Sequence, residues 1–248
     1  MMQPIILAAG KGTRMGSELP KTLCSVAGKP MLAHILEALS SAGNALSPII
    51  VVGHKGEQVK QFVGETITTV EQTDLSGTGT AAKTGLGAAP KDTKKVFIMY
   101  GDHPFITAEH IKAIEEKHDA SGATITLATA TVPDFTGWHS VFISFGRVLR
   151  NVGGAVQEIR EYKNANEYEQ NILEINPGFY CVDAAWLTQA LGQIEKDSVS
   201  GEYYLTDIVS LALYEGKKVE TVSISPKEAL GINSPQDVMQ AESLFTGQ

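Results

Sequence analysis

A chain of 248 residues, 43% hydrophobic and 19% charged, is long enough to bury an α/β core and too apolar for a disordered polymer. Its net charge of −8 excludes a general nucleic-acid footprint, although a local cluster of cations can still build a nucleotide pocket on an acidic protein. Cys24 and Cys181 are too few for a disulfide framework, and no apolar run fits a signal peptide or a membrane span, so a cytoplasmic protein with core thiols is expected.

Ile5 to Ala9 reads as a strand that runs straight into Gly10-Lys11-Gly12-Thr13-Arg14-Met15-Gly16 and then Leu19-Pro20-Lys21. Glycine lets the backbone approach a bulky anion, and successive N–H groups in such a turn form an anion-binding nest. Lys11, Arg14 and Lys21 supply charge where a triphosphate would lie, at the carboxyl end of the first strand. The glycine spacing is one residue too long for the dinucleotide fingerprint, and Pro20 breaks the P-loop pattern before Lys21. Met31, Leu32, Ile35, Leu36 and Leu39 then share a helical face. Pro48 to Val52 is a buried strand, Glu57 to Val63 a short helix, and Thr66 to Val70 a β-branched strand. Leu75 to Ala81 opens a small-residue helix that reaches Ala89. Val96 to Tyr100 is another buried strand, ending at Gly101-Asp102, and Thr107 caps a helix carrying Ile111 and Ile114. This alternation predicts an α/β fold, Rossmann-like, with a mostly parallel sheet flanked by helices.

The second half changes texture. Ala123 to Val132, Val141 to Leu149 and Ala155 to Ile159 read as strands between turns, and Glu174 to Tyr180 leads into a last central strand. Asp183 to Gln193 and Tyr204 to Tyr214 read as helices and Val219 to Ile224 as a strand. Ser234-Pro235-Gln236-Asp237 starts a final helix, with an N-cap, a proline at the first helical position and an acid at the third. Without a break in composition, a single domain is expected. Its residues 1–120 form the nucleotide half, and residues 121–235 build a β-rich, sugar-binding lid.

Asp102 is the leading candidate metal ligand, because magnesium takes hard oxygen donors, keeps several waters and needs only one or two protein oxygens. The bland alternative is an aspartate that caps the next helix. Asn233, in Leu230-Gly231-Ile232-Asn233-Ser234, would by itself be a turn residue. His103 reads as a loop histidine near phosphate rather than a magnesium ligand. His54 and His34 read as solvent-facing, Trp138 and Trp186 as core aromatics, and Lys94-Lys95 as a solvated strand entrance. Glu115-Glu116 reads as too exposed for a catalytic pair.

Several of these segments form one ordered set: Leu7-Ala8-Ala9-Gly10-x-Gly12-Thr13-Arg14-Met15, Leu19-Pro20-Lys21, Val26-Ala27-Gly28-Lys29-Pro30-Met31, Gly77-Thr78-Gly79 and Tyr100-Gly101-Asp102. Glu202-Tyr203-Tyr204-Leu205-Thr206-Asp207 and Leu230-Gly231-Ile232-Asn233 complete it. Together they resemble the uridylyltransferase half of the bacterial N-acetylglucosamine-1-phosphate uridylyltransferases, of the sugar-phosphate nucleotidylyltransferase family, over nearly the whole chain.

The resemblance implies that Leu7, Ala8, Ala9, Gly10, Lys11 and Gly12, with Gln72, Gly77 and Thr78, hold the nucleotide. It implies that Arg14 and Lys21 lie on the phosphates as catalytic residues with Asp102, and that Asp102 and Asn233 hold Mg2+. Glu161 and Asn176 would reach the sugar, together with Gly146 or Gly137. The substrates implied are UTP and a sugar 1-phosphate, N-acetylglucosamine 1-phosphate being favoured, with no nucleic acid and no membrane as partner. Three departures stand out. The family's enzymes continue into a left-handed β-helix that transfers acetyl groups, so acetyltransferase activity is not expected of these 248 residues. The family's Asn-Thr-Gly is Asn176-Pro177-Gly178 here, which removes an N–H and a hydroxyl. A compact Thr-Gly-Tyr-Gly-Arg run is split between Thr136-Gly137-Trp138 and Phe145-Gly146-Arg147.

Two rival readings exist. Gly77 to Thr84 misses the P-loop motif only by Ala82 in place of glycine, with Val96 to Asp102 imitating its metal strand. A non-catalytic nucleotide-sugar sensor of the same fold would bind a UDP-sugar without releasing pyrophosphate.

Overall fold

Seven consecutive buried residues, Met2–Ala8, form β1, and a strand without a polar face has to be covered on both sides. The computed structural model describes residues 1–43 and 46–246, and its elements supply that cover. After β1 come the two-residue strands β2 (Ser25–Val26) and β3 (Lys29–Pro30), α1 (Met31–Ala42), β4 (Ile49–Val52), α2 (Gly56–Val63) and β5 (Thr68–Glu71). Next are α3 (Thr78–Gly87), β6 (Lys95–Tyr100), α4 (Ala108–Ser121), β7 (Ile125–Thr131), β8 (Gly146–Arg150) and β9 (Val156–Arg160). The chain continues through α5 (Glu167–Gln170), β10 (Glu174–Asn176), β11 (Tyr180–Asp183), α6 (Ala184–Ala190), α7 (Asp207–Tyr214), β12 (Val219–Ser223) and α8 (Pro235–Thr246).

β5, β4, β1 and β6 lie side by side and parallel, so their carboxyl ends share one edge. β11 runs antiparallel between β6 and β7, and β12 pairs parallel with β7, which makes the ten-stranded sheet mixed. Alternate side chains sort the core into two layers. Ile6 and Ala8 join Phe97, Met99 and Cys181 beneath α1, α4 and α8, while Ile5 and Leu7 join Val51, Ile98 and Val182 beneath α3, α6 and α7. Both cysteines are buried free thiols, as expected.

β10 and β11 are one strand broken by a bulge. Both run antiparallel to β7, but Ile175 faces Ala130 whereas Tyr180 faces Leu127, so the stretch through Pro177-Gly178 carries two extra residues. Gly178 makes the bulge possible: its φ is +87°, and a Cβ there would stand 2.0 Å from the Tyr100 ring. Beyond the bulge, β10 pairs with β8, and β8 with β9, so that hairpin projects past the carboxyl end of β6. A cleft is left between the hairpin and the ends of β1 and β6.

Five expectations need correction. Val141 to Ser144 is not strand but the end of a 3-10 helix, Gly137–Ser144; strand begins only at Gly146. The fully buried Arg147 causes this by donating to the carbonyls of Phe142, Ile143, Phe145 and Gln170, which a ladder would otherwise use. Tyr204 to Thr206 lies outside α7, because Leu205 N donates to Thr78 Oγ1 instead of a helical carbonyl. Lys95 is largely buried and paired with Glu115 at 2.9 Å and Asp119, so Glu115 is a buried structural partner rather than an exposed acid. His34 is not solvent-facing: its Nε2 meets Val26 O at 2.8 Å and its ring packs on Phe105.

Among the described residues no helix is long and apolar enough to cross a membrane.

Candidate active site

The loop after β1 turns twice with left-handed glycines, Gly12 at φ +60° and Gly16 at +59°, which bracket one 3-10 turn at Thr13–Met15. A Cβ at Gly12 would stand 2.8 Å from Lys21 Cβ. Glycine here brings the loop down onto Lys21 rather than opening it to a ligand, and Gly12 does not line the cleft. Gly10, Lys11 and Arg14 do, beside Leu7, Ala8 and Ala9 at the end of β1.

Lys21 begins the 3-10 turn Lys21–Leu23 and points back across this edge. Its ammonium is ion-paired with Asp102 Oδ2 and donates to Asn233 Oδ1 at 2.6 Å. Arg14 Nη2 donates to the same Asn233 oxygen at 3.0 Å. Residues far apart in sequence therefore meet at one point. Asp102 reaches it because Gly101 N donates to Leu7 O at 2.9 Å, which locks the turn after β6 against β1. Asn233 reaches it because Ile232 N donates to Asp102 O at 2.8 Å. On the far side of Asn233, Asp237 Oδ2 accepts from Asn233 N and Ser234 N while Ser234 Oγ accepts from Asp237 N, the cap expected at the start of α8. Burial would push the Asp102 carboxyl up, but Lys21 and His103 outweigh it and hold the group well below the usual carboxylate range.

On one flank, Gln72 directs its Nε2 into its own loop, toward Asp74 O at 2.8 Å, Gly77 O at 3.1 Å and Thr80 Oγ1 at 2.7 Å. The amide oxygen is the end left to meet a ligand. Gly77, at φ +125°, lies so close to Tyr203 that a Cβ would fall 2.4 Å from its carbonyl oxygen. Gly77 and Thr78 line the cleft at the start of α3, but Lys83 is exposed on that helix and away from it. The near-P-loop therefore does not bring its lysine to the cleft.

On the other flank stand Gly146, Glu161 and Asn176. Gly137 is not part of the wall, which answers which of the two glycines faces the cleft. Burial raises the Glu161 carboxyl, against the hydrogen bond from Thr206 Oγ1 at 2.8 Å. Asn176 donates from Nδ2 to Tyr180 Oη at 2.5 Å and accepts from Gly178 N at 3.2 Å, so the bulge itself orients the amide. Pro177 lies in the same wall. The cleft encloses about 610 Å³, room for a nucleotide and a sugar end to end.

Tyr100, Phe145 and Tyr204 also line the cleft and were not singled out as site residues from the sequence. Tyr100 carried a usable signal, as the last residue of an apolar strand that ends at the same edge as β1. Phe145 and Tyr204 fall within motifs already noted, but tertiary bonds set both of their segments, so their place in the wall does not follow from local pattern. Among the described residues no cluster of three or more His, Cys, Asp and Glu side chains is placed to hold a metal, so the Asp102 and Asn233 oxygens are the donor pair to weigh.

An open sheet whose carboxyl edge gathers a glycine-rich loop, cations and the Asp102 carboxylate defines a nucleotidyltransferase site, and the chain belongs to the MobA-like NTP transferase domain family, whose model matches residues 4–173. More particularly, it is 40% identical over 242 residues to the protein named Bifunctional protein GlmU of Heliobacterium modesticaldum, a match covering 97% of this chain and 51% of the relative. The proteins of the same name from Brevibacillus brevis and Lactococcus lactis subsp. lactis are 37% and 38% identical, each over 96% of this chain and 50% of the relative. The chain thus spans about half the length of the curated relatives it matches, and the resemblance read from its motifs is borne out.

Proposed function

We propose that this protein transfers the uridylyl group of UTP to a sugar 1-phosphate, N-acetylglucosamine 1-phosphate being the favoured acceptor, with release of pyrophosphate. The observation that carries the reading is the convergence of Arg14, Lys21, Asp102 and Asn233 at the carboxyl edge of the sheet, between Gln72 on one flank and Glu161 and Asn176 on the other.

Residues 1–120 take the nucleotide and residues 121–235 the sugar, within one working unit. Gln72 supports a uracil-type base. With its Nε2 engaged inside the loop, it offers a ring an acceptor, which suits the N3–H of uracil and opposes the N3 lone pair of cytosine. A wrong base would leave polar groups unpaired, which is where strong discrimination arises. Leu7 to Gly10 and Gly77-Thr78 give the ribose and base a close backbone wall, while Lys11, Arg14 and Lys21 face the phosphates. Gly146, Glu161 and Asn176 meet the sugar hydroxyls, and Pro177 removes one N–H from that wall.

Asp102 and Asn233 suit magnesium. Their oxygens already converge on one cationic point, now held by the Lys21 ammonium, and the carboxyl stays ionised. When bound there, the ion would neutralise charge on the phosphate oxygens. The remaining work belongs to the chain. An oxygen of the sugar 1-phosphate attacks the α-phosphorus in line, the new P–O bond forms as the bond to the β-phosphate oxygen breaks, and pyrophosphate departs with that electron pair. Arg14 and Lys21 offset the charge that builds on it. A phosphate monoester is already an anion near neutral pH, so no side chain has to serve as general base. Positioning and preorganised charge supply the rate.

Pyrophosphate release assayed over the four ribonucleotides, TTP and a panel of sugar 1-phosphates tests the reading. Release is expected with UTP and only when a sugar 1-phosphate is added. UDP-sugar binding with no release for any pair would overturn it in favour of a sensor. Nucleotide hydrolysis without sugar phosphate would overturn it in favour of an NTPase.

A further inference from the structure

We infer that His103 is a positioning residue that fixes the rotation of the Asp102 carboxylate and ties it to the segment bearing Asn233. This rests on the reading of Asp102 and Asn233 as a divalent-cation site. His103 Nδ1 lies 2.8 Å from Asp102 Oδ1, on the opposite side of the carboxylate from the oxygen that faces Lys21. The terminal torsion of an aspartate is broad, so one bound oxygen decides where the other points. His103 sits in the turn after β6 and lines the cleft, in keeping with its reading as a loop histidine there, but it is 5% exposed and its ring is boxed in. Phe145 and Phe179 meet the ring edge-on, each at 5.7 Å between centroids, and Tyr100 lies at 5.8 Å.

The far nitrogen, Nε2, is buried and has no hydrogen-bond partner among the described residues. Nε2 faces no acceptor while Nδ1 faces a carboxylate oxygen, so the contacts around the ring assign a hydrogen to Nδ1, which donates it to Asp102 Oδ1. The same ring supports the second anchor. A Cβ at Gly231 would stand 2.8 Å from His103 Nε2, so glycine lets residues 230–233 pass directly over the imidazole. Ile232 N, from that segment, donates to Asp102 O at 2.8 Å. One side chain thus sets the direction of the carboxylate and the height of the loop that brings Asn233 beside it. Partners of this kind, bound to a ligand rather than to the metal, typically alter metal affinity by roughly 10- to 100-fold.

The test is an electron paramagnetic resonance titration of Mn2+ into the full chain with stoichiometric UDP-N-acetylglucosamine, with Asp102→Ala marking the site. His103→Leu, which donates nothing, and His103→Gln, whose amide reaches past Nδ1, are expected to weaken Mn2+ retention roughly 10- to 100-fold. His103→Asn places an amide N–H close to where Nδ1 stands and is expected to stay within about threefold of the native protein, well short of that loss. Thermal unfolding of each variant reports whether it is folded, and should His103→Leu fail to fold, the contrast between Gln and Asn decides. Native-like retention by His103→Gln, or equal losses for Gln and Asn, would overturn the inference while leaving the cation site standing. Retention by the native protein no better than by Asp102→Ala would overturn the site and the inference together.

Discussion

Asp102 lies between the cation of Lys21 and the imidazole of His103, and most of the proposed chemistry passes through that one carboxylate. Asp102→Ala is expected to abolish pyrophosphate release without loss of secondary structure, checked by assay and circular dichroism. Arg14 is half of a pair that shares the Asn233 oxygen, so Arg14→Ala should remove one preorganised charge and lower turnover by about 3 kcal/mol of transition-state stabilisation. An unchanged turnover rate would move the phosphates elsewhere. Gly178 is structural rather than catalytic: a Cβ would strike the Tyr100 ring at 2.0 Å on a backbone at φ +87°. Gly178→Ala should cost roughly 2–4 kcal/mol in a denaturant titration. Asp102 was legible from sequence because it directly follows an apolar strand. Asn233 was legible only through resemblance, since an asparagine before a helix is ordinarily a turn residue. The packing of His103 was not legible, because the aromatic box around it comes from Tyr100, Phe145 and Phe179, on three separate segments.

α8 does more than cover the sheet, because its first turn carries the cap that holds Asn233. Asp237→Ala removes the acceptor for Asn233 N and Ser234 N, so a loss of about 1 kcal/mol in stability is expected, accompanied by weaker activity if the loop shifts. Thermal unfolding and the pyrophosphate assay on one preparation would show both. The four parallel strands and the helices between them were readable from apolar or β-branched runs set between glycine and capping signals, whereas β2 and β3 were not read, and β1, β4 and β6 match their expected runs within a residue or so at the site edge. The misreadings share a cause. Val141-Phe142-Ile143 has strand composition, but Arg147 gathers its carbonyls into a 3-10 turn, and Tyr204-Leu205 has helical composition, but Thr78 claims the Leu205 N–H. Both depend on partners distant in sequence or on a buried cation, which periodicity does not register.

Across the whole molecule, acidic groups crowd behind the sugar flank. Burial lifts the Asp207 carboxyl from 3.8 to about 6, and Glu161, Asp197 and Glu158 add repulsion. The folded protein therefore keeps a proton that the unfolded chain has already lost, so this group's contribution to stability falls as pH rises from 3.8 to about 6 and is level above that. Solvent on the half-buried side chain moderates the size of the effect. Asp207→Asn should be more stable than the native protein at pH 8, with the difference closing below pH 3.8, as read from melting temperatures across that range. Of these acids Glu161 lines the cleft, together with Lys11, Arg14 and Lys21, and the proposed arrangement turns the cations toward the phosphates and Glu161 toward the sugar. A crystal structure of the full chain with UDP-N-acetylglucosamine and magnesium tests that arrangement most directly. The diphosphate is expected against Gly10, Lys11 and Arg14, with Asp102 facing it, the uracil on Gln72 and the sugar between Glu161 and Asn176. Ligand density outside this cleft, or Asp102 turned away from the diphosphate, would contradict it.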